Sequence, residues 1–173
     1  MIITLLGRPL AGKTTISKLV GSVFAGKTVW YRMPVKLDSG EIMDHQAVVT
    51  TCEFERQSFS LECIHGAGFM EEAYNLLLPR GDIFIGVFDP QKVIFESQKE
   101  FWEIMLPLIK PEKIYFIINK NDMQPVKSPK DFLHSYGVYI DRPTIQISAI
   151  SQDSIEPLRN FIVSCLKENM TNA

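Results

Sequence analysis

The sequence predicts an α/β fold, a mixed β-sheet between helices, in a single domain of 173 residues. Apolar runs alternate with segments of helical periodicity along most of the chain, which is the pattern of βαβ units. The runs Ile83–Phe88 and Ile114–Ile118 are almost continuously apolar, as expected of strands buried on both faces. Residues 47–54 and 59–64 form two further strand-like runs, and the four polar residues between them allow only an antiparallel hairpin.

The first half of the chain begins with a predicted strand, Ile2–Leu6, and a predicted amphipathic helix over 16–24. The next segment, 26–46, is weakly patterned, because several turn-forming residues interrupt it: Pro34, Asp38, Ser39 and Gly40. We therefore expect a mobile loop there, with at most a short strand at 29–31.

The second half alternates helices and strands. Helices are predicted over 70–78, 90–108, 129–135 and from 155 onward, and a last strand over 144–148. Asp89 and Pro90 have the residue types of a helix N-cap and a first helical position, although Asp89 also resembles the acidic residue of a Walker-B strand. The predicted sheet has six strands, one of them antiparallel.

Composition limits the classes of partner. A net charge of −2 gives no electrostatic argument for nucleic acid or an anionic membrane surface. The three cysteines lack the spacing of a zinc site or a disulfide framework, so we expect reduced thiols and a cytoplasmic location. No apolar run approaches the roughly 20 residues of a membrane span, and we recognise no targeting or lipidation signal, so we expect no membrane anchor.

The stretch from Gly7 to Thr15 reads Gly-Arg-Pro-Leu-Ala-Gly-Lys-Thr-Thr and matches GxxxxGK[ST] between a strand and a helix. This context predicts a phosphate site, in which backbone N–H groups and the helix N-terminus face the anion. Lys13 would reach the β- and γ-phosphates, and the Thr14 hydroxyl would ligate Mg²⁺. An accidental glycine turn is the alternative. The predicted nucleotide-binding residues of this stretch are Gly7, Leu10, Ala11, Gly12, Lys13, Thr14 and Thr15.

The tetrad Asn119-Lys120-Asn121-Asp122 directly follows the strand Ile114–Ile118 and offers a base-selecting group. The carboxylate of Asp122 could accept two hydrogen bonds from guanine, whereas adenine would leave it unpaired. Asn119 would connect the tetrad to the phosphate loop, and the stem of Lys120 would cover the base. A polar turn after a strand is the alternative.

A third stretch, Ser148-Ala149-Ile150, follows the last predicted strand, where a small residue lets backbone N–H groups approach the guanine oxygen. In this order, the three stretches resemble those of small GTPases, the Ras-like P-loop G proteins. The phosphate loop, the hairpin, and His65-Gly66-Ala67-Gly68 with the helix into Leu78-Pro79-Arg80-Gly81-Asp82 are similar to the bacterial MglA-type polarity and gliding GTPases.

The resemblance covers nearly the whole chain and carries several expectations. It implies a single G domain over 1–173, with the three-layer P-loop small-GTPase fold. It implies GTP or GDP as the bound nucleotide and Mg²⁺ as its ion. It also implies a monomeric switch with slow intrinsic GTP hydrolysis, stimulated by a homodimeric roadblock-type activating protein.

Three positions depart from the usual family pattern. His65 stands where most G proteins have the Asp that holds a water of the Mg²⁺ shell; it could accept a hydrogen bond from that water, or simply end the strand. Gly68 keeps the position of the γ-phosphate contact, but Phe69 replaces the glutamine that orients the attacking water in Ras-like proteins. Three positions are candidates for the place where the family has its magnesium-binding threonine, although the first of them is a glutamine: Gln46, Thr50 and Thr51.

Arg8 and Arg56 are candidate catalytic residues beside Lys13, because an arginine can stabilise charge in the transition state; exposed arginines without such a role are the alternative. Two other functions stay open. The first is a pseudo-GTPase that binds guanine nucleotide without useful turnover, as the residues at positions 65 and 69 suggest. The second is a small P-loop kinase, against which the tetrad argues.

Overall fold

The computed structural model describes residues 1–37, 39–65 and 71–170. Within these residues, seven strands form one mixed sheet in the order β2-β3-β4-β1-β5-β6-β7. The strands are β1 (Ile2–Leu6), β2 (Lys27–Lys36), β3 (Ile42–Phe54), β4 (Gln57–His65), β5 (Ile83–Phe88), β6 (Ile114–Ile118) and β7 (Thr144–Gln146). The helices are α1 (Lys13–Val23), α2 (Glu71–Leu77), α3 (Phe95–Met105), α4 (Pro129–Ser135) and α5 (Ile155–Met170).

The α/β prediction is confirmed, and so is the single antiparallel strand. β3 is antiparallel to both β2 and β4, whereas all other neighbouring strands in the sheet are parallel. The predicted number of six strands is wrong, because the sheet has seven. The extra strand is β2, which occupies part of the segment that we expected to be a mobile loop and includes the short strand considered at 29–31.

Helices cover both faces of the sheet. On one face, α1 and α5 bury a cluster that includes Ile16, Val20 and Phe161. On the other face, α3 and α4 bury an aromatic cluster around Trp102 and Tyr136. Burial on both faces explains the uninterrupted apolar sequence of the central strands β5 and β6.

Element boundaries differ from the prediction in two places near the candidate site. The long helix predicted over 90–108 begins only at Phe95, after a 3₁₀ turn at Lys92–Ile94. The last strand ends at Gln146, so Ser148 lies beyond it in a loop. Among the helices in the described residues, none combines the length and the apolar character that crossing a bilayer requires.

The topology brings distant residues to one edge of the sheet. Because β1, β4, β5, β6 and β7 run in the same direction, their carboxyl ends lie together. Several predicted site residues lie at or just after these ends: Gly7, His65, Asp89, Asn119 and Ser148. Ligands of open α/β sheets bind at this edge.

Candidate functional site

The loop between β1 and α1 depends on two glycines. Gly7 and Gly12 have φ angles of 148° and 98°, in a region that L side chains rarely adopt. A Cβ atom on Gly7 would lie 2.5 Å from the carbonyl oxygen of Val87 in β5, and one on Gly12 would collide with the side-chain amide of Asn119. The loop is therefore packed closely against the ends of β5 and β6.

Lys13, the first residue of α1, is buried and turns back over this loop. Its Nζ atom donates hydrogen bonds to the carbonyl oxygens of Gly7 at 2.7 Å and Arg8 at 3.0 Å. Burial lowers the pKa of Lys13 to about 8. Among the described residues no side chain caps the first turn of α1, so its N–H groups are available to a ligand. Both features favour an anion at this point.

Asn119 joins the three predicted segments of the site. This buried side chain donates from Nδ2 to the carbonyl oxygen of Ala11 at 2.9 Å. Its Oδ1 atom accepts a hydrogen bond from the N–H of Ala149 at 3.0 Å. The predicted connection between the tetrad and the phosphate loop is present, and the same side chain also fixes the turn after β7.

Asp89 has a different role from the one that its local sequence suggested. Its carboxylate Oδ2 lies 2.5 Å from Nζ of Lys120, and Oδ1 accepts the N–H of Gln91 at 3.0 Å. The helix-cap interpretation is wrong, because α3 starts six residues later. The side-chain amide of Gln98 fixes Asp89 in turn, by bonding both its N–H, at 2.9 Å, and its carbonyl oxygen, at 3.0 Å.

A cavity of about 190 Å³ lies between the tetrad and the turn after β7. Among the described residues, the exposed carboxylate of Asp122 has no hydrogen bond or ion pair with the protein. The side chain of Ser148 is buried, but its Oγ atom has no partner in the described structure. The cavity lining consists of Leu10, Gly12, Thr15, Asn119, Lys120, Asp122, Met123, Ser148, Ala149 and Ile150.

The rim of this cavity is apolar and unusually exposed. Leu10, Met123 and Ile150 are 84%, 63% and 83% exposed, respectively. Leu10 also has a positive φ angle of 66°, which is unfavourable for a residue with a side chain. Three large apolar side chains therefore surround a cavity that also contains two polar side chains without protein partners among the described residues, Asp122 and Ser148.

A second cavity, of about 390 Å³, lies on the other side of the loop and shares Leu10, Gly12 and Thr15 with the first. Its remaining lining residues are Lys13, Thr14, Ile64 and His65. The Oγ1 atom of Thr14 lies 3.2 Å from Nδ1 of His65. The two side chains predicted to serve the metal ion are therefore neighbours. In the described part of the chain, no group of three or more His, Cys, Asp or Glu side chains could hold a metal by itself.

The three positions considered for the magnesium-binding threonine, 46, 50 and 51, present no free hydroxyl to this cavity in the described structure. Thr50 is buried, and its hydroxyl is hydrogen-bonded to Ser17 at 2.7 Å and Thr28 at 2.9 Å. Thr51 points to the opposite face of the sheet, because neighbouring strand residues alternate. Gln46 is the cross-strand partner of His65, so it is the nearest of the three candidates in the sheet.

The structure separates the two candidate arginines. Arg8 belongs to the phosphate loop and is partly exposed. Arg56 lies in the turn between β3 and β4, which is the amino end of β4, whereas the loop lies beside the carboxyl end, at His65. Nine residues of β4 separate Arg56 from that end, roughly 30 Å of extended chain, so the structure places Arg56 far from Lys13. Gly68 and Phe69 lie outside the described residues.

Sequence reasoning missed three side chains that support the site. They are Asp89 as the partner of Lys120, Gln98 as the residue that holds Asp89, and Tyr74 of α2. The hydroxyl of Tyr74 donates to the carbonyl oxygen of Gly7 at 2.8 Å. Buried Gln98 carried a usable signal, since a glutamine on the apolar face of a predicted helix needs a polar partner. Tyr74 had no such signal, because a tyrosine on an apolar helix face is unremarkable.

A further cavity, of about 520 Å³, lies between α4 and residues 138–144, and no predicted site residue lines it. We therefore identify the candidate site by the chemistry of its lining residues and not by the volume of the cavity.

No protein-family model and no curated protein sequence matches the chain.

Proposed function

We propose that this protein binds guanine nucleotides at the carboxyl edge of its sheet and is a slow GTPase of the small-GTPase type. The observation that carries the proposal is the position of Asn119, which bonds the phosphate loop at Ala11 and the turn after β7 at Ala149. Two cavities adjoin at the same loop and share Leu10, Gly12 and Thr15 in their linings. One has a cationic lining suited to phosphates, and the other has a lining suited to a purine base.

The phosphates would occupy the cavity at the start of α1. There, the partners of the Lys13 ammonium group among the described residues are two carbonyl oxygens, and a phosphate would stabilise its charge. The uncapped first turn of α1 adds N–H donors directed at the same anion. Thr14 would provide a hydroxyl to a divalent cation bound to these phosphates.

The base would occupy the cavity beside the tetrad. The free carboxylate of Asp122 suits the two neighbouring donors of guanine, and adenine has no such pair of donors. The stem of Lys120, with its amine bound by Asp89, would lie along one face of the base. The exposed rim residues Leu10, Met123 and Ile150 would then be covered by base and sugar.

Hydrolysis would be slow. Ras-like enzymes have a glutamine at the position of Phe69, and even with it they turn over at only about 10⁻⁴ s⁻¹ without a partner. Acceleration therefore requires groups from outside the chain, such as those of a roadblock-type activating protein. With such a partner, the protein would act as a nucleotide-dependent switch.

A pseudo-GTPase is the second candidate, and one observation favours it. The hydroxyl of Thr50 is hydrogen-bonded to both Ser17 and Thr28 behind α1, so it is not available to a metal ion. Without a threonine that contacts metal and γ-phosphate, GTP and GDP would have similar effects on the hairpin β2–β3.

Calorimetric titration with GDP, GTP and ATP, each with and without a divalent cation, tests the proposal. We expect GDP and GTP to bind far more tightly than ATP, by about 10⁴-fold if Asp122 is the selecting group. Asp122→Ala should remove most of this preference, whereas Asp141→Ala, at an exposed position beside the third cavity, should leave it unchanged. ATP displacing GDP efficiently would instead favour a P-loop kinase.

Single-turnover hydrolysis of GTP separates the two guanine-binding candidates. Acceleration by about 10³-fold or more with an activating protein would support the switch. A rate that no candidate activator changes, with equal hydrogen-exchange protection of residues 30–65 in both nucleotide states, would support the pseudo-GTPase.

A further inference from the structure

The neighbourhood of Thr14 has a donor set that is unusual for a magnesium site. Within the described residues, the polar side chains that line the cavity at the start of α1 carry hydroxyl groups, an imidazole and an ammonium group, with no carboxylate among them. Two carboxylates of the described residues are engaged elsewhere: Asp89 is bound to Lys120, and Asp44 lies 3.8 Å from Arg32. The sequence from 66 to 70 contains no acidic residue.

The separation of Thr14 and His65 matches two neighbouring positions of one metal ion. Two ligands at right angles around an octahedral ion lie about 3.0 Å apart when each bond is about 2.1 Å long. The Oγ1 atom of Thr14 and the Nδ1 atom of His65 are 3.2 Å apart and share a hydrogen bond, which an ion bound to both atoms would replace. One ion could therefore contact both atoms with little movement of either side chain.

The ring of His65 is also held in place. The edge of its imidazole meets Trp30 of β2 with ring centroids 4.7 Å apart and planes at 78°. Trp30 in turn lies beneath the ammonium group of Lys18 of α1, with Nζ 5.4 Å from the ring centroid. The imidazole therefore packs against a ring that is itself in contact with α1, and in this position its Nδ1 atom faces Thr14.

We propose that His65 is a direct nitrogen ligand of the divalent cation at Thr14, and that this ligand makes the site prefer transition-metal ions over Mg²⁺. The proposal rests on the proposed function, because the nucleotide phosphates would complete the ion's coordination. Mg²⁺ is a hard ion that favours oxygen ligands, whereas imidazole nitrogen favours ions such as Co²⁺, Ni²⁺ and Zn²⁺.

Pulsed electron paramagnetic resonance of the protein with GDP and Mn²⁺ tests the nitrogen ligand directly. With ¹⁵N-labelled histidine in the protein, we expect a ¹⁵N coupling to Mn²⁺ that disappears in His65→Asn. It should persist in Asp44→Asn, the matched control two residues from Gln46 on the same face of the hairpin. A bound Mn²⁺ without nitrogen coupling in the wild-type protein would overturn the proposal, whatever the variants do.

The same spectrum separates this proposal from the proposed function. A ³¹P coupling from GDP shows that the ion and the nucleotide share the site. Phosphorus coupling without nitrogen coupling would leave the proposed function standing and refute the histidine ligand. If GDP does not bind with any of Mg²⁺, Mn²⁺ or Co²⁺, both proposals fail.

Competition between Co²⁺ and Mg²⁺ for the protein–GDP complex measures the metal preference of the site. We expect the ratio of Co²⁺ to Mg²⁺ affinity for the protein–GDP complex to fall by about 10- to 100-fold in His65→Asp, since a carboxylate replaces the imidazole. Comparing the two proteins cancels the preference that the phosphates themselves contribute. An unchanged ratio in a variant with wild-type circular dichroism would overturn the claim of selectivity.

Discussion

The Nζ atom of Lys120 lies 2.5 Å from the Oδ2 atom of Asp89, although 31 residues separate them in sequence. Lys120 also has a positive φ angle of 58°, so both its backbone and its side chain are held in an uncommon arrangement. The carboxylate is almost fully buried, whereas a quarter of the lysine side chain is exposed. This ion pair fixes the tetrad against the end of β5, and Lys120 itself lines the proposed base cavity.

Asp89→Asn should destabilise the protein. The asparagine oxygen can still accept the N–H of Gln91, but the amide nitrogen that replaces Oδ2 is a donor and accepts from neither Lys120 nor the side chain of Gln91. We expect a loss of about 1–3 kcal/mol in the free energy of unfolding, measured with urea. Glu103→Gln is the control, because its exposed pair with Lys99 spans 4.0 Å and should contribute less than about 0.5 kcal/mol. Equal effects of the two substitutions would contradict the structural role of the Asp89 pair.

Two asparagines of the tetrad should respond differently to the same change. Asn119 uses both its amide nitrogen and its oxygen, so Asn119→Asp would lose the bond to Ala11 and place a charge beside its carbonyl oxygen. We expect a loss of about 2–3 kcal/mol and much weaker nucleotide binding. Asn121 uses only its oxygen, which accepts the N–H of Val126 at 3.2 Å. Asn121→Asp keeps that acceptor and should change stability by about 0.5 kcal/mol or less. Similar losses in both variants would show that the bridge of Asn119 is not the cause.

Much of the fold was predictable because the central strands β5 and β6 consist almost entirely of apolar residues, as strands buried on both faces do. The exception is β2, where Pro34 and the turn residues after it suggested a loop. The structure places Pro34 in an edge strand, where one side of the backbone has no partner strand and proline is tolerated. The alternation of buried Met33 and Val35 with exposed neighbours was the signal for a strand.

The candidate site was predictable where a motif supplies its own context. The glycine loop and the tetrad each follow a recognisable strand, and parallel strands bring their ends together. Asp89 was not predictable, because Asp followed by Pro has a local explanation as a helix cap. Its true partner depends on β5 and β6 being neighbours in the sheet. Sequence periodicity identifies strands but does not fix their order.

Gly12→Ala and Gly137→Ala should separate backbone strain from close packing. Gly12 and Gly137 have positive φ angles of 98° and 78°, so an alanine at either position costs about 1–2 kcal/mol in backbone strain. Nothing lies within 4 Å of a Cβ on Gly137, whereas a Cβ on Gly12 would meet the amide of Asn119. We therefore expect Gly12→Ala to cost about 1–3 kcal/mol more than Gly137→Ala in urea unfolding, because Asn119 must give up a hydrogen bond. Equal costs would mean that the loop has room to move away from Asn119.

The buried ammonium group of Lys13 should make stability depend on pH in the alkaline range. Its pKa is lowered by burial from 10.5 to about 8, so between these values the unfolded chain binds more protons than the folded one. Stability therefore rises with pH across this window, and the cost of burying the charge is fully present below pH 8. Between pH 7 and pH 10, we expect wild type to gain about 2–3 kcal/mol relative to Lys13→Met, which cannot titrate. Comparing the two proteins by urea unfolding at each pH removes the contributions of tyrosines, cysteines and other lysines. A difference between them that does not change with pH would show that the ammonium group is not destabilised by burial.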